Sequence, residues 1–251
     1  MNFRAFILAL LLLVLCSCEK EHINHSFKII AHRGYWKMAD GADNSILGLE
    51  EAARLGVDGV EIDVCKTIDD SLLVVHGLYH GEYHIPTTDY ATIRTVRVSN
   101  GELVPTLNEY LQEAIKYNLL YYIELKTPNE ENDVLKILDR YDYRYKVRLC
   151  SFSATICETL IGLDSKLNVS YINGDKTPAE LLQKGYRGLH YDVAVLKEHT
   201  DWIKECNSLG LDISAWVIKT ESDIIWCSTH NVENLIVDNP LETIQFRALY
   251  E

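Results

Sequence analysis

Residues 59–77, GVEIDVCKTIDDSLLVVHG, hold two strand-like runs separated by only the four residues 67–70. A parallel crossover needs a dozen residues or more, so the second run must return antiparallel to the first. A turn near 68–70 then carries His76 back to the level of Asp63. Every other connection reads differently. Strand-like runs at 29–34, 120–126, 147–152, 167–173, 188–192, 212–218 and 234–238 are separated by stretches long enough for a helix. Amphipathic patterns at 45–55, 106–118, 130–140, 154–163, 195–209 and 221–229 supply most of those helices. Thr106, with Glu109 three residues on, predicts a capping box. Eight β units in βα alternation predict an α/β fold, a (β/α)8 TIM barrel. The exception at 59–77 becomes a short β-hairpin, with an insertion at 78–105 after the second strand. A doubly wound sheet would carry a glycine-rich phosphate loop after its first strand, and the sequence has no such pattern.

The chain has 251 residues, 47% hydrophobic and 24% charged, with a formal net charge of −13. That balance is globular and argues against a nucleic-acid partner, which needs a basic face. No protein partner is legible. The start, MNFRAFILALLLLVLCSCEK, has one early cation and an apolar run over residues 5–16, too short to span a bilayer as a helix. Leu15 stands three residues before Cys18, with Ser17 just before it, and this is similar to the lipobox of bacterial lipoproteins. The expectation is a signal segment at 1–18, cut before Cys18, a tether at 19–26 and a barrel domain at 27–251. The mature chain would then be a membrane-anchored lipoprotein of the bacterial envelope, held by acyl chains on Cys18. Beyond that segment Cys65, Cys150, Cys157, Cys206 and Cys227 remain. Their odd number and spacing fit neither a disulfide framework nor a zinc knuckle, so buried small hydrophobes are predicted.

In a barrel of this kind, function sits at the C-terminal ends of the strands. His32 and Arg33 end the first run. Glu61 and Asp63, two apart, share one face of the second, and Glu124 and Lys126 share one face of the third. His76 arrives on the returning hairpin. Glu61, Asp63 and Glu124 are hard oxygen ligands suited to Mg²⁺ or Ca²⁺. Arg33 and Lys126 suit a phosphate, and two histidines can divide acid and base duties. Together these groups describe metal-assisted phosphodiester cleavage. The spacing of His76, His80 and His84 looks like a metal ladder on a helix, but Gly77, Gly81 and Pro86 oppose that helix.

AHRG at 31–34, DNS at 43–45, GVEIDV at 59–64, LLVVHG at 72–77, VPTLNEYL at 104–111, YIELK at 122–126, AWVIK at 215–219 and IVDNP at 236–240 stand in family order. The chain resembles the glycerophosphodiester phosphodiesterases, phospholipase-C-like barrels. The resemblance implies hydrolysis of a small glycerophosphodiester to sn-glycerol 3-phosphate and an alcohol. It implies His32 and His76 as the acid–base pair, and Glu61, Asp63 and Glu124 as ligands of the divalent cation. Arg33, Asn44, Lys126 and Trp216 would contact substrate, Trp216 as a wall of the glycerol pocket. Two positions depart from the family pattern: Gly77 follows His76 where the family usually has aspartate, and Asp43 stands for glutamate. A carboxylate-pair glycosidase is a second enzyme reading, and it leaves the cations and histidines unexplained. The alternative outside catalysis is a weak or inactive lipoprotein barrel that binds phosphate esters or surface glycans.

Overall fold

The computed structural model describes residues 26–38 and 40–249. The expected lipid-anchor segment at 1–18, and all but the last residue of the tether, lie outside the described residues. Among the described residues no helix is long and apolar enough to cross a membrane.

The strands are β1 Lys28–His32, β2 Gly59–Lys66, β3 Leu72–Val74, β4 Tyr79–His80, β5 Tyr83–His84, β6 Leu120–Leu125, β7 Val147–Ser151, β8 Val169–Tyr171, β9 Gly188–Asp192, β10 Asp212–Ile218 and β11 Asn234–Val237. The helices are α1 Ile46–Leu55, α2 Tyr90–Ile93, α3 Leu107–Ala114, α4 Glu131–Arg140, α5 Ala154–Leu163, α6 Pro178–Gln183, α7 Val193–Glu198, α8 Thr200–Leu209, α9 Glu221–Thr229 and α10 Pro240–Ala248. Strands β1, β2, β6, β7, β8, β9, β10 and β11 run parallel in that order. The pairings of β1 with both β11 and β2 close the ring. The expected (β/α)8 barrel is the observed fold.

Strand parity decides what goes where. Outward residues such as Ile29, Val60, Ile62, Tyr121 and Ile123 are buried beneath the helices in one continuous apolar layer. Full burial of each such side chain contributes about 1.5–3 kcal/mol. Inward, Ile30, Tyr122 and Ile236 plug the middle of the barrel. The polar groups beside them are paired: Tyr122 Oη lies 2.9 Å from Ser214 Oγ, and Asn234 Nδ2 donates to the Ile213 carbonyl at 2.9 Å. Gly59 allows the closest approach in this layer, since a Cβ there would lie 2.4 Å from the Leu120 carbonyl oxygen.

The hairpin forms as expected. β3 pairs antiparallel with β2, Val74 opposite Val64, and Val75 N donates to the Asp63 carbonyl at 3.0 Å. Residues 78–105 pack a small core of Ile85, Ile93 and Val104 against Cys65, Leu73 and Val75. His80 and His84 lie on the β4–β5 pair, not on a helix. The Thr106–Glu109 capping box is present. The stretch expected as one helix at 195–209 breaks at His199 into α7 and α8, with His199 serving as the end of one and the start of the other. Three helices lie outside the expected stretches, α2, α6 and α10. The latter two announce themselves by an N-cap followed by proline, Thr177-Pro178 and Asn239-Pro240. All five cysteines of the described chain are free and buried.

Candidate active site

The C-terminal rim of the barrel opens on a cleft of about 520 Å³, counted with its mouth. His32, Arg33, Glu61, His76, Glu124, Lys126 and Trp216 all line it, and no residue of 78–105 does among the described residues. Asp63 and Asn44 lie just behind it, both buried.

His32 ends β1 facing inward. Its Nδ1 lies 2.7 Å from Asp238 Oδ1, at the end of β11, and Lys37 Nζ lies 3.1 Å from Asp238 Oδ2. Burial opposes ionisation of Asp238, but hydrogen bonds from His32 and Lys37 hold its carboxyl down at about 2. An ionised carboxylate only accepts, so Nδ1 of His32 must donate. That leaves Nε2 turned to the cleft, 3.9 Å from Glu61 Oε2.

Arg33 and Asn44, near the two ends of the β1–α1 loop, are left-handed at φ 57° each. Asn44 N donates to the Arg33 carbonyl at 3.0 Å, which ties the loop together. Ser45 then caps α1 by accepting from Gly48 N at 2.9 Å. The result aims Arg33 at the carboxylates: its backbone N donates to Glu61 Oε2 at 3.1 Å, and its Nε lies 3.3 Å from Asp63 Oδ2. Both ends of the Asn44 amide are taken by Asp63, with Nδ2 donating to Oδ2 at 2.9 Å and Oδ1 accepting from the Asp63 backbone N at 3.1 Å. Asn44 therefore orients Asp63, and it is not among the residues that line the cleft.

Asp63 and Glu124 are opposite each other across β2 and β6, and Glu61 is one inward step below Asp63. One oxygen from each of the three lies within 4.8 Å of the others. Lys126 Nζ bridges two of them, 2.8 Å from Asp63 Oδ1 and 2.5 Å from Glu124 Oε1. Burial, then the neighbouring Asp63 and Glu124 charges, push the Glu61 carboxyl well above the usual range. Burial raises Glu124 to about 7 against the pull of Lys126. Burial also opposes ionisation of Asp63, yet Lys126, Arg33 and Asn44 hold it below its ordinary value. Three hard oxygen donors clustered in a buried site fit a divalent cation. His76 faces this cluster from the hairpin return, and burial lowers its pKa. Among the described residues its ring has no hydrogen-bond partner. Gly77 beside it has φ 88°, in the region that favours glycine, and its carbonyl accepts from Cys65 Sγ at 3.1 Å.

The opposite wall is apolar. Trp216 and Phe152 meet edge to face at 5.6 Å, next to Ile172, Val217 and Ile236. Besides the aliphatic wall, the site holds Asp238, Lys37, Phe152 and His190, which are not among the expected residues. Asp238 was within reach, since IVDNP ends the strand beside β1. The other three carry no local signal.

A model of the family described as "Glycerophosphoryl diester phosphodiesterase family" matches residues 32–242. A glycerophosphodiester phosphodiesterase of Caldanaerobacter subterraneus subsp. tengcongensis is 23% identical over 234 residues, 84% of this chain and 94% of that protein. The crystal structure of a glycerophosphodiester phosphodiesterase from Parabacteroides distasonis is 34% identical with a TM-score of 0.85, covering 90% of this chain and 98% of the other. A phosphodiesterase of Oleispira antarctica, solved in complex with its product sn-glycerol-3-phosphate, shares the fold at 20% identity and a TM-score of 0.76, covering 87% and 96%.

Proposed function

The chain belongs to the glycerophosphoryl diester phosphodiesterase family and is a phosphodiesterase hydrolase. From that premise we propose that it cleaves glycerophosphodiesters to sn-glycerol 3-phosphate and an alcohol, with His32 and His76 as acid and base. The observation that carries this is the meeting of the His32 and His76 imidazoles, the Arg33 and Lys126 cations and the Glu61 and Glu124 carboxylates on one cleft, with Asp63 just behind it. The product held by the Oleispira relative supports the same substrate class. Arg33 and Lys126 hold non-bridging phosphoryl oxygens and neutralise charge that grows in the transition state. One histidine takes the proton of the attacking hydroxyl, from water or from the substrate, while the other protonates the leaving alkoxide. Asp238 keeps His32 in the tautomer whose Nε2 faces substrate. Glu61, Asp63 and Glu124 would hold Mg²⁺ or Ca²⁺, which when bound supplies Lewis-acid stabilisation of the phosphoryl oxygens.

The test is release of sn-glycerol 3-phosphate from glycerophosphocholine, glycerophosphoethanolamine and glycerophosphoinositol, with Mg²⁺ or Ca²⁺ and with a chelator. Turnover that is lost in chelator, and falls at least about 100-fold in His32→Ala and His76→Ala, is expected. Full activity of either variant, or of Glu61→Ala, would remove the assignment. Anchoring through Cys18 in the cell envelope is likewise our proposal, resting on the lipobox-like LCSC. Cys18→Ala should move the protein from the membrane to the soluble fraction, and an unchanged distribution would refute it.

A further inference from the structure

One buried, titratable group on the cleft has no part in the chemistry above. His190 sits on β9 with its side chain inward, and only 4% of it is exposed. It lines the cleft between the His32 side and the aromatic wall. The ring stands edge-on to Tyr122 at 5.2 Å, and the Trp216 indole N–H donates to the His190 carbonyl at 2.8 Å. The ring thus packs on Tyr122, and the backbone is tied to Trp216.

The two ring nitrogens differ. Nδ1 is fully buried and has no hydrogen-bond partner among the described residues. Nε2 is the nitrogen left open to the cleft. Burial, reinforced by the nearby His32 and Arg148, lowers the pKa to about 3, so the ring carries one N–H and one lone pair at neutral pH. Placing the lone pair on Nδ1 avoids stranding a buried N–H there. Nε2 then carries the hydrogen. A neutral donor on a wall otherwise made by Phe152, Ile172, Trp216, Val217 and Ile236 carries no charge to set against a phosphate, and that charge is supplied by Arg33 and by Lys126, whose Nζ stands 5.8 Å over the Phe152 ring. The donor is well suited to one hydroxyl oxygen on a short carbon chain.

We propose that His190 is a specificity-determining residue, whose Nε2–H donates to a hydroxyl of the substrate's glycerol moiety while Trp216 and Phe152 cover its carbon chain. This rests on the proposed function. A site built around such a donor discriminates against an analogue lacking the hydroxyl, because the donor is then left unpaired in a desolvated wall.

The experiment pairs enzyme variants with substrates. Glycerophosphocholine is compared with 3-hydroxypropyl and 2-hydroxypropyl phosphocholine, each lacking one glycerol hydroxyl. His190→Phe keeps the ring on Tyr122 and removes the donor. It should lower kcat/KM for glycerophosphocholine about 10- to 100-fold and leave one deoxy analogue within about threefold of wild type. His190→Gln, which keeps an N–H, should recover part of the loss, and it carries the same comparison if the phenylalanine variant does not fold. A parallel arm measures binding of sn-glycerol 3-phosphate and 3-hydroxypropyl and 2-hydroxypropyl phosphate by calorimetry. Wild type should favour the glycerol ester over one of the deoxy esters, and His190→Phe should erase that preference. Equal losses on all substrates, or no preference among the three ligands in wild type, would overturn the proposal. Absence of turnover with every diester would instead refute the proposed function, because the binding arm reads His190 without catalysis.

Discussion

Replacing Asp238 by asparagine tests the arrangement around His32 with almost no change of shape. The carboxylate accepts from His32 Nδ1 at 2.7 Å and sits 3.1 Å from Lys37 Nζ. An asparagine can present either an oxygen or an NH2 to Nδ1, and in the second case the imidazole is held in the wrong tautomer, with its hydrogen on Nε2. A hydrogen bond to a charged partner contributes about 1.5–3 kcal/mol, which corresponds to roughly 10- to 150-fold in rate. A full tautomer error in a histidine–carboxylate pair of this kind reaches about 10⁴-fold in kcat. Asp238→Asn should therefore lose between these limits in kcat, with KM within about threefold, since Asp238 stands behind His32. Steady-state kinetics on glycerophosphocholine with saturating Mg²⁺ or Ca²⁺ measures both constants. The ¹⁵N spectrum of labelled histidine reads the tautomer directly and should show the His32 hydrogen leaving Nδ1. Unchanged kcat, or a loss carried entirely by KM, would refute the reasoning.

Lys126→Met leaves Asp63 and Glu124 without the ammonium that bridges them. Breaking one side of a buried ion pair costs about 3–5 kcal/mol, so the melting temperature in chelator should fall sharply. Added Mg²⁺ or Ca²⁺ should raise it more in the variant than in wild type, and equal shifts would count against the shared carboxylate site. Glu130 is fully buried, accepts from Thr127 N at 2.9 Å, and burial raises its carboxyl to about 8 against the pull of the Thr127 hydrogen bonds. A folded pKa above the unfolded one means that stability is complete below about 4.5 and declines as pH rises toward 8. Glu130→Gln should flatten the loss of melting temperature between pH 5 and 8 relative to wild type, and parallel curves would contradict the assignment. Gly77 has φ 88° with open space where a Cβ would go. Gly77→Ala should thus cost about 1–2 kcal/mol of backbone strain, without steric clash, in denaturant unfolding.

Much of the site was legible because strand parity is a local rule. Glu61 and Asp63, or Glu124 and Lys126, are two apart on β-forming runs and must share a face whatever surrounds them. The four-residue link at 67–70 forces an antiparallel return and so fixes the level of His76. Asn44 shows the limit of that logic. Its place in the first loop was evident, but both ends of its amide bond Asp63, and only the left-handed backbone at residues 33 and 44 decides that. His190 shows the limit more sharply. On the run GLHYD either parity is self-consistent, and only the closed barrel determines which face is inside.

By itself, then, the chain's order of strands, turns and caps dictates a barrel and names the groups at its rim, because hydrogen-bonding geometry and alternation act over a few residues. The partners across the ring were decided by closure alone. Asp238 reaches His32 because β11, some 200 residues later, becomes the neighbour of β1. The same closure crowds three carboxylates beside Lys126, where burial and mutual repulsion set charges that no stretch of sequence contains.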